Sequence, residues 1–308
     1  MAGYVLRRLI QALVAIIGVV TIVFVIQRLA GDPTLLMVPE GATREEIDSL
    51  RRALGLDRPI PVQFADYLGQ LARLDLGSSL RQNVPVAEII ASRLPYTVWL
   101  ALAALVVALG IGLPAGVIMA MRRGSRIERV LMGVVLVGQS MPTFWSGIMM
   151  ILLFAVFWGV LPPSGADSPQ SVLLPAVALG ALTMATFARI TRTAVLDELA
   201  KEYVRTAHAK GLLPTRVLLR HVMTNAAIPV VTIAALELAN LLAGAVIVET
   251  VFAWPGLGQL AVQSIEARDF PIVQGVVLLG AATTVALNLG ADLVYGAIDP
   301  RIRMDGSA

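Results

Sequence analysis

Long apolar runs divide the chain into six segments that are separated by more polar stretches. A membrane-spanning helix needs roughly 20 mostly apolar residues. The six runs lie at residues 9–27, 96–121, 130–161, 172–188, 226–248 and 272–298. The pattern therefore predicts an all-α polytopic membrane protein with six transmembrane helices. An even number of spans places both termini on the same side of the membrane.

The composition leads to the same class of protein. Hydrophobic residues make up 57% of the chain and charged residues only 15%, against about 45–50% and 25% in soluble domains. The net charge of +3 would also fit a nucleic-acid-binding protein. The basic residues, however, stand in loops beside the spans, where membrane topology accounts for them, so no nucleic-acid partner is expected.

The distribution of Lys and Arg predicts the orientation, because short loops rich in these residues stay in the cytoplasm. Of the loops on the other side of the membrane, residues 162–171 contain no Lys or Arg and residues 252–271 contain one. The segment 31–94 is too long for this rule to apply. Both termini are therefore predicted to be cytoplasmic. The basic residues of that side are Arg7, Arg8, Arg122, Arg123, Arg126, Arg129, Arg189, Arg192, Lys201, Arg205, Lys210, Arg216, Arg220, Arg301 and Arg303.

Three regions follow from this topology. Residues 1–30 form a cytoplasmic segment and the first transmembrane helix, residues 31–94 an external loop region, and residues 95–308 a five-helix core with a cytoplasmic loop at about 193–225. Within the external region, Thr43 and Glu46 have the spacing of a capping box, and Gly55 stands where the helix would stop. An amphipathic helix is predicted there, either at the bilayer interface or receiving an external partner.

Two features within the spans predict irregularity or function. Pro142, in the sequence GQSMP at residues 138–142, predicts a bend in the third run, which is either static or used in gating. Glu237 lies midway along the fifth run, where a carboxylate must face a partner, a cavity or water. It either lines a translocation path or forms a structural interhelical bond, and its candidate polar neighbours are Gln139, Asn240 and Asn288.

Catalytic motifs are missing from the sequence. The two histidines, His208 and His221, both lie in the basic loop, and no HExxH pair occurs. The phosphate-binding pattern GxxxxGK[ST] needs a Gly-Lys pair, whereas Lys201 precedes Glu202 and Lys210 precedes Gly211. We therefore expect no catalytic residue, metal site or cofactor in this chain, and an ATPase, if one drives it, on another polypeptide.

The basic loop carries a predicted docking helix. Val195, Leu199, Tyr203 and Ala207 recur at every fourth residue and would form one apolar stripe. Gly211 would end this helix. A short helix of this kind, projecting from the membrane, fits a groove on a soluble partner.

The same loop resembles the EAA loop of membrane subunits of binding-protein-dependent ABC importers. The sequence RTA at residues 205–207 stands in the EAA place, followed by Gly211. The variant YVRTAHAKG followed by RHVMTNAAIPVV looks like the dipeptide/oligopeptide permease branch. Further matches are YVLRRLIQ, RLAGDP, LGLDRPIPVQF, LDLGSSLRQNVPV, GAVIVETVFAWPGLGQLAVQSIEARDFPIVQG and LVYGAIDPRIR. The long loop after the first span resembles the first of the two permease subunits.

The resemblance implies a type I ABC importer permease that pairs with a second, different permease subunit. Two cytoplasmic ABC ATPases would bind ATP and Mg²⁺, and an external solute-binding protein would deliver peptides or related solutes across the bacterial or archaeal plasma membrane. The residues coupling ATPase and permease would be Tyr203, Arg205, Thr206, Ala207, Lys210 and Gly211.

Two points stay open at this level. Trp254, Pro255 and Gly256 form either a tight interfacial turn or part of an outer gate that meets the binding protein. The first alternative function is an ion-coupled secondary transporter that uses Glu237, and the second is a membrane scaffold or receptor.

Overall fold

The structure, a computed structural model, describes residues 2–29, 34, 43–53 and 55–298 of the 308-residue chain. Helices account for most of these residues, and the β-structure within them is a single bridge between Ser78 and Pro85. The expected all-α fold is confirmed. The helices are α1 (Ala2–Leu29), α2 (Arg44–Ala53), α3 (Ile60–Ala72), α4 (Val86–Met121), α5 (Arg126–Ser140), α6 (Thr143–Phe157), α7 (Pro169–Leu199), α8 (Glu202–Ala209), α9 (Pro214–Val251), α10 (Leu257–Glu266) and α11 (Phe270–Ile298).

Five of the described helices, α1, α4, α7, α9 and α11, are long and apolar enough to span a membrane. The third predicted span is a pair of helices, α5 and α6. The chain bends by 106° between them, and they make a sixth span if they are counted as one. The bend lies at Met141 and Pro142, whose ψ angles are 130° and 136°. Proline disfavours the helical conformation in the residue before it, so the predicted bend at Pro142 is confirmed.

Three helices continue well beyond their predicted spans. α4 begins at Val86 rather than at residue 96, α7 extends to Leu199 although its apolar run ends at residue 188, and α9 begins at Pro214 rather than at residue 226. The additional turns carry charged side chains such as Arg189 and Asp197. Hydropathy marks only the part of a helix that suits hydrocarbon, so it underestimated these three helices by several turns.

The chain forms two compact units. Of the described residues, the first unit comprises those within 1–95 and 256–286, and the second those within 96–255 and 287–308. In the first unit, the start of α4 packs on α10 and α11 through Val86, Ile90, Leu260 and Ile272. Asp269 is buried there and accepts hydrogen bonds from the Ser79 hydroxyl and from the backbone N–H of residues 80 and 81. This carboxylate fixes the turn that leads into α4.

The predicted capping box begins α2 in the first unit. Glu46 accepts hydrogen bonds from the backbone N–H of Thr43 at 2.8 Å and from its hydroxyl at 3.0 Å. These bonds hold the pKa of Glu46 below its usual value. Gly55 follows the helix with φ +67°, in the left-handed region that ends many helices. The predicted amphipathic helix and its glycine stop are both confirmed.

In the second unit, α4 and α7 approach closely because glycine replaces a side chain at their contact. A Cβ on Gly112 would lie 2.7 Å from the Met184 carbonyl oxygen, and one on Gly116 would lie 2.5 Å from that of Ala188. Gly112 and Gly116 form the GxxxG spacing that is common where membrane helices pack. The remaining core joins α4, α7 and α9 through residues that include Leu100, Ala104, Leu179, Leu241, Ala245 and Phe252.

Candidate functional site

The connection between α7 and α9 contains the short helix α8 of eight residues. α7 ends at Leu199, and Lys201 has an extended backbone with φ −77° and ψ 149°. The expectation of one continuous helix from Val195 to Ala207 is therefore wrong. Val195 lies on α7 and Ala207 on α8, on either side of a corner at Lys201.

Glu198 stabilises this corner. Its carboxylate accepts hydrogen bonds from Lys201 Nζ and Tyr203 Oη, both at 2.5 Å. Tyr203 Oη in turn accepts a hydrogen bond from Asn225 Nδ2 on α9 at 3.2 Å. Burial and the bond to Glu198 raise the pKa of Tyr203, and the bond to Glu198 raises the pKa of Lys201. At neutral pH both groups therefore carry the protons that they donate to Glu198.

The apolar side of α8 packs against the protein itself. Val204 and Ala207 are buried, Ala207 being 6% exposed, and they share a cluster with Val195 on α7 and with Val217 and Val222 on α9. The apolar stripe is therefore not available to a partner in this structure. Apart from Ala209, the exposed side chains of α8 and its end are polar, namely Glu202, Arg205, Thr206, His208 and Lys210.

Gly211 ends α8 as predicted. Its φ is +78°, its N–H donates to the His208 carbonyl at 2.9 Å, and the Leu212 N–H donates to the Ala207 carbonyl at 3.3 Å. These two bonds form a Schellman motif, whose left-handed residue is usually glycine. A Cβ at Gly211 would meet no atom within 4 Å. Glycine is thus required here by backbone conformation and not by lack of space.

A second polar contact joins α5 to α7 near this end of the helices. Arg192 on α7 donates from Nε to Glu128 Oε1 at 2.7 Å, and Glu128 also accepts from the Gly124 N–H. Ser125 caps α5 by accepting from the Glu128 N–H at 3.2 Å. Sequence reasoning counted Arg192 only as a basic loop residue and did not consider Glu128 or Ser125. The Ser125 to Glu128 spacing was the visible signal for the cap, and nothing local pointed to Arg192.

Glu237 forms an interhelical hydrogen bond, but not with the neighbours proposed for it. The Thr183 hydroxyl on α7 donates to Glu237 Oε2 on α9 at 3.2 Å. Among those neighbours, Gln139 is half-buried at the end of α5 and Asn240 is exposed on α9. The Asn288 side chain lies outside the described part of the chain. Thr183 was not considered because a threonine in an apolar run carries no distinctive signal.

Trp254 lies in the turn that follows α9 and is 3% exposed. Its Nε1 donates to the Tyr96 carbonyl at 3.0 Å, and the two rings meet edge to face at 6.1 Å. The tryptophan is thus buried within the second unit. Pro255 is half-buried, and Gly256 caps α10. A turn at these residues is confirmed, with Ala253 at φ +47°.

Comparison with known families gives a match over almost the whole chain. The family described as "Binding-protein-dependent transport system inner membrane component" matches residues 112–304, and its N-terminal counterpart matches residues 1–101. The chain belongs to this family. It is a multi-pass inner membrane permease subunit of ABC importers, and such subunits work together with ATPase and other subunits. Membership favours the importer over the secondary transporter and the scaffold.

Two relatives are similar to this permease over nearly their full length. The dipeptide transport system permease protein DppB of Escherichia coli (strain K12) is 37% identical over 336 residues, covering 98% of this chain and 99% of the relative. The glutathione transport system permease protein GsiC of the same strain is 41% identical over 304 residues, with the same coverage. The resemblance to the dipeptide/oligopeptide branch is confirmed.

Solved structures of ABC importers share the fold. The MetNI methionine transporter, solved in inward-facing conformations, matches with a TM-score of 0.58 and 19% identity, covering 69% of this chain and 97% of that chain. An amino acid ABC transporter matches with a TM-score of 0.52 and 18% identity, covering 68% and 93%. At this identity the likeness concerns the fold alone.

Proposed function

We propose that this permease is the first-type transmembrane subunit of an ATP-driven importer for small peptides or closely related solutes. The observation that carries the proposal is the full-length similarity to two permeases named for a dipeptide and for glutathione, which is itself a tripeptide.

The proposed assembly has four kinds of component. This chain pairs with a second, homologous permease, two cytoplasmic ABC ATPases bind to the pair, and an external binding protein delivers the solute. ATP and Mg²⁺ bind to the ATPases, because this sequence lacks GxxxxGK[ST]. The three sequence regions 1–30, 31–94 and 95–308, with both termini in the cytoplasm, remain part of this proposal.

The segment from Lys201 to Gly211 is proposed to couple the ATPases to the spans. Arg205, Thr206 and Lys210 are exposed and would contact an ATPase directly. Tyr203 and Ala207 would act from inside, since Tyr203 bonds to Glu198 and Ala207 packs in the cluster with α7 and α9. A displacement of α8 would therefore move both helices, because packed side chains transmit motion rather than absorb it.

Two further roles belong to the proposal. Glu237, with Asn240, Gln139 and Asn288, would line the translocation path, and Trp254, Pro255 and Gly256 would support the external gate. The bond from Thr183 to Glu237 also fits a purely structural role. Uptake by Glu237→Gln separates the two, because a path residue should change the rate of transport while a structural one should change stability.

The decisive experiment is uptake into proteoliposomes. The complex is extracted gently from its host, its subunits are identified by mass spectrometry, and labelled dialanine uptake is followed with its binding protein present. We expect uptake that requires ATP and a second permease with two ATPases in the complex. Uptake that follows an ion gradient without ATP would instead establish the secondary transporter.

A further inference from the structure

A cleft of about 490 Å³ lies between α7 and α9, lined mostly by the turns of α7 that follow its apolar run and by Pro229 on α9. This volume falls in the range of small-molecule sites, about 300–1,000 Å³. Arg189 and Asp197 carry opposite charges along its wall on α7. Their Cα atoms are eight positions apart, which corresponds to about 12 Å at the helical rise of about 1.5 Å per residue.

These two charges make no hydrogen bond or ion pair within the described part of the chain, although the Asp197 carboxylate contributes electrostatically to the raised pKa of Lys201. The neighbouring Arg192 is bound by Glu128, and Lys201 is bound by Glu198.

The rest of the wall suits a peptide backbone. Thr186 and Thr193 lie on the same side of α7 as the charges, and Ile190 and Pro229 add apolar surface. Residues 183, 186, 190, 193 and 197 follow one another at steps of three and four, which places them on one face of a helix. Thr183, the partner of Glu237, therefore lies on the same face of α7, about one turn before the cleft.

We infer that the cleft is a transit site for a zwitterionic peptide of two or three residues, an inference that rests on the proposed function. Arg189 binds the terminal carboxylate and Asp197 the terminal ammonium. An extended dipeptide with two charge-assisted hydrogen bonds of about 2.8 Å spans about 12–13 Å between the two charged side-chain groups, and a tripeptide spans about 16 Å. The helical rise of about 12 Å separates the two Cα atoms, and the arginine side chain, which extends toward the start of the helix, allows the charged groups to lie farther apart than that.

The site binds features that all such peptides share. The threonine hydroxyls form hydrogen bonds with the amide groups of the peptide. The apolar wall contacts the peptide side chains without selecting a particular one. The cleft opens at the end of the helices that carries α8, which the proposed orientation places at the cytoplasmic mouth. A peptide there would have its ammonium nearer α8 and would leave in that direction.

The test uses the purified complex of both permeases and both ATPases in nanodiscs, without the binding protein. The probe is alanyl-photoleucine, a photoactivatable dipeptide, and mass spectrometry locates the crosslinks. We expect crosslinks within residues 186–197 and at Pro229. Free dialanine should suppress them at about a tenfold lower concentration than dialanine amide or N-acetyl-dialanine, because each blocked end loses a charged hydrogen bond.

Variants then assign the two ends of the peptide. Arg189→Gln should remove the preference for the free carboxylate, and Asp197→Asn should remove the preference for the free ammonium. Arg216→Gln, which changes an exposed arginine outside the cleft, should behave as wild type. The wild-type competition needs no variant and remains informative if a substitution impairs folding.

Three outcomes would overturn the inference: equal competition by free and blocked peptides, crosslinks only elsewhere, or crosslinks from the cleft to the second permease instead of to the probe. Dialanine uptake with the binding protein is measured in parallel. Normal ATP-driven uptake together with any of these outcomes rejects the cleft alone, whereas absent peptide uptake rejects the proposed function.

Discussion

Replacement of Gly211 by valine tests the coupling role of α8 through backbone conformation alone. Gly211 has φ +78°, and a Cβ there would meet no atom within 4 Å. The cost is therefore the left-handed conformation itself, about 1–2 kcal/mol for a residue with a side chain and more for a β-branched one. A cost of this size lowers the population of the capped helix end about 5- to 30-fold relative to its frayed state.

The assay is the amount of labelled peptide taken up per ATP hydrolysed in proteoliposomes. We expect Gly211→Val to reduce this ratio at least about fivefold, in line with that loss of the capped end, while the protein still inserts into the membrane. Gly211→Asn should stay close to wild type, because asparagine tolerates the left-handed region. Gly159→Val is the matched control, with φ +64° and open space in a different loop.

The reasoning would be refuted by Gly211→Val with an unchanged ratio of uptake to hydrolysis. It would also be refuted if Gly211→Asn were as defective as Gly211→Val, because the side chain rather than the backbone angle would then matter. An equal defect in Gly159→Val would show that the assay reports general instability.

Three further predictions concern stability. Gly116→Ala should destabilise the protein by about 1–3 kcal/mol through overpacking between α4 and α7, lowering the melting temperature in detergent, whereas Gly133→Ala, in open space, should not. Ala253→Gly should raise the melting temperature, because it relieves the left-handed conformation of Ala253 at φ +47°. The expected gain in the free energy of unfolding is about 1 kcal/mol, and an unchanged melting temperature would show that the backbone at this residue is unstrained. The lowered pKa of Glu46 means that its bond stabilises α2 above the ordinary glutamate pKa of 4.5 and is lost as pH falls through the lower folded value. Carboxyl NMR should show this midpoint rising in Thr43→Ala, and an unmoved midpoint would reject the assignment.

Local signals in the sequence predicted the local features correctly. Pro142 breaks a helix because its ring removes a hydrogen bond and constrains Met141, whatever the surroundings. Gly55 and Gly211 stop helices because only glycine adopts a positive φ without cost. The capping pair Thr43 and Glu46 lies within one turn. Each of these effects depends only on residues that are close together in the chain, so the sequence alone is enough to predict it.

The features that were missed depend on residues far apart in the chain. The corner at Lys201 is held by Glu198 and Tyr203, and through Tyr203 by Asn225 on another helix. A four-residue apolar spacing cannot reveal such a network, so one long helix was expected instead of two. The bond from Thr183 to Glu237 joins residues 54 positions apart. Chain separation of this kind leaves no pattern in a single sequence.

The division of α8 into an apolar and a polar side fits the proposed coupling role better than the docking stripe expected from the sequence. A contact that must hold through every transport cycle is stabilised by burial of apolar side chains. Val204 and Ala207 are buried in this way against α7 and α9. A contact that forms and breaks as an ATPase moves is better made by polar side chains. When the partner withdraws, water replaces its hydrogen bonds at little net cost in free energy. Arg205, Thr206 and Lys210 stand on that side. The permanent contact would therefore transmit the movement, and the polar contact would receive it.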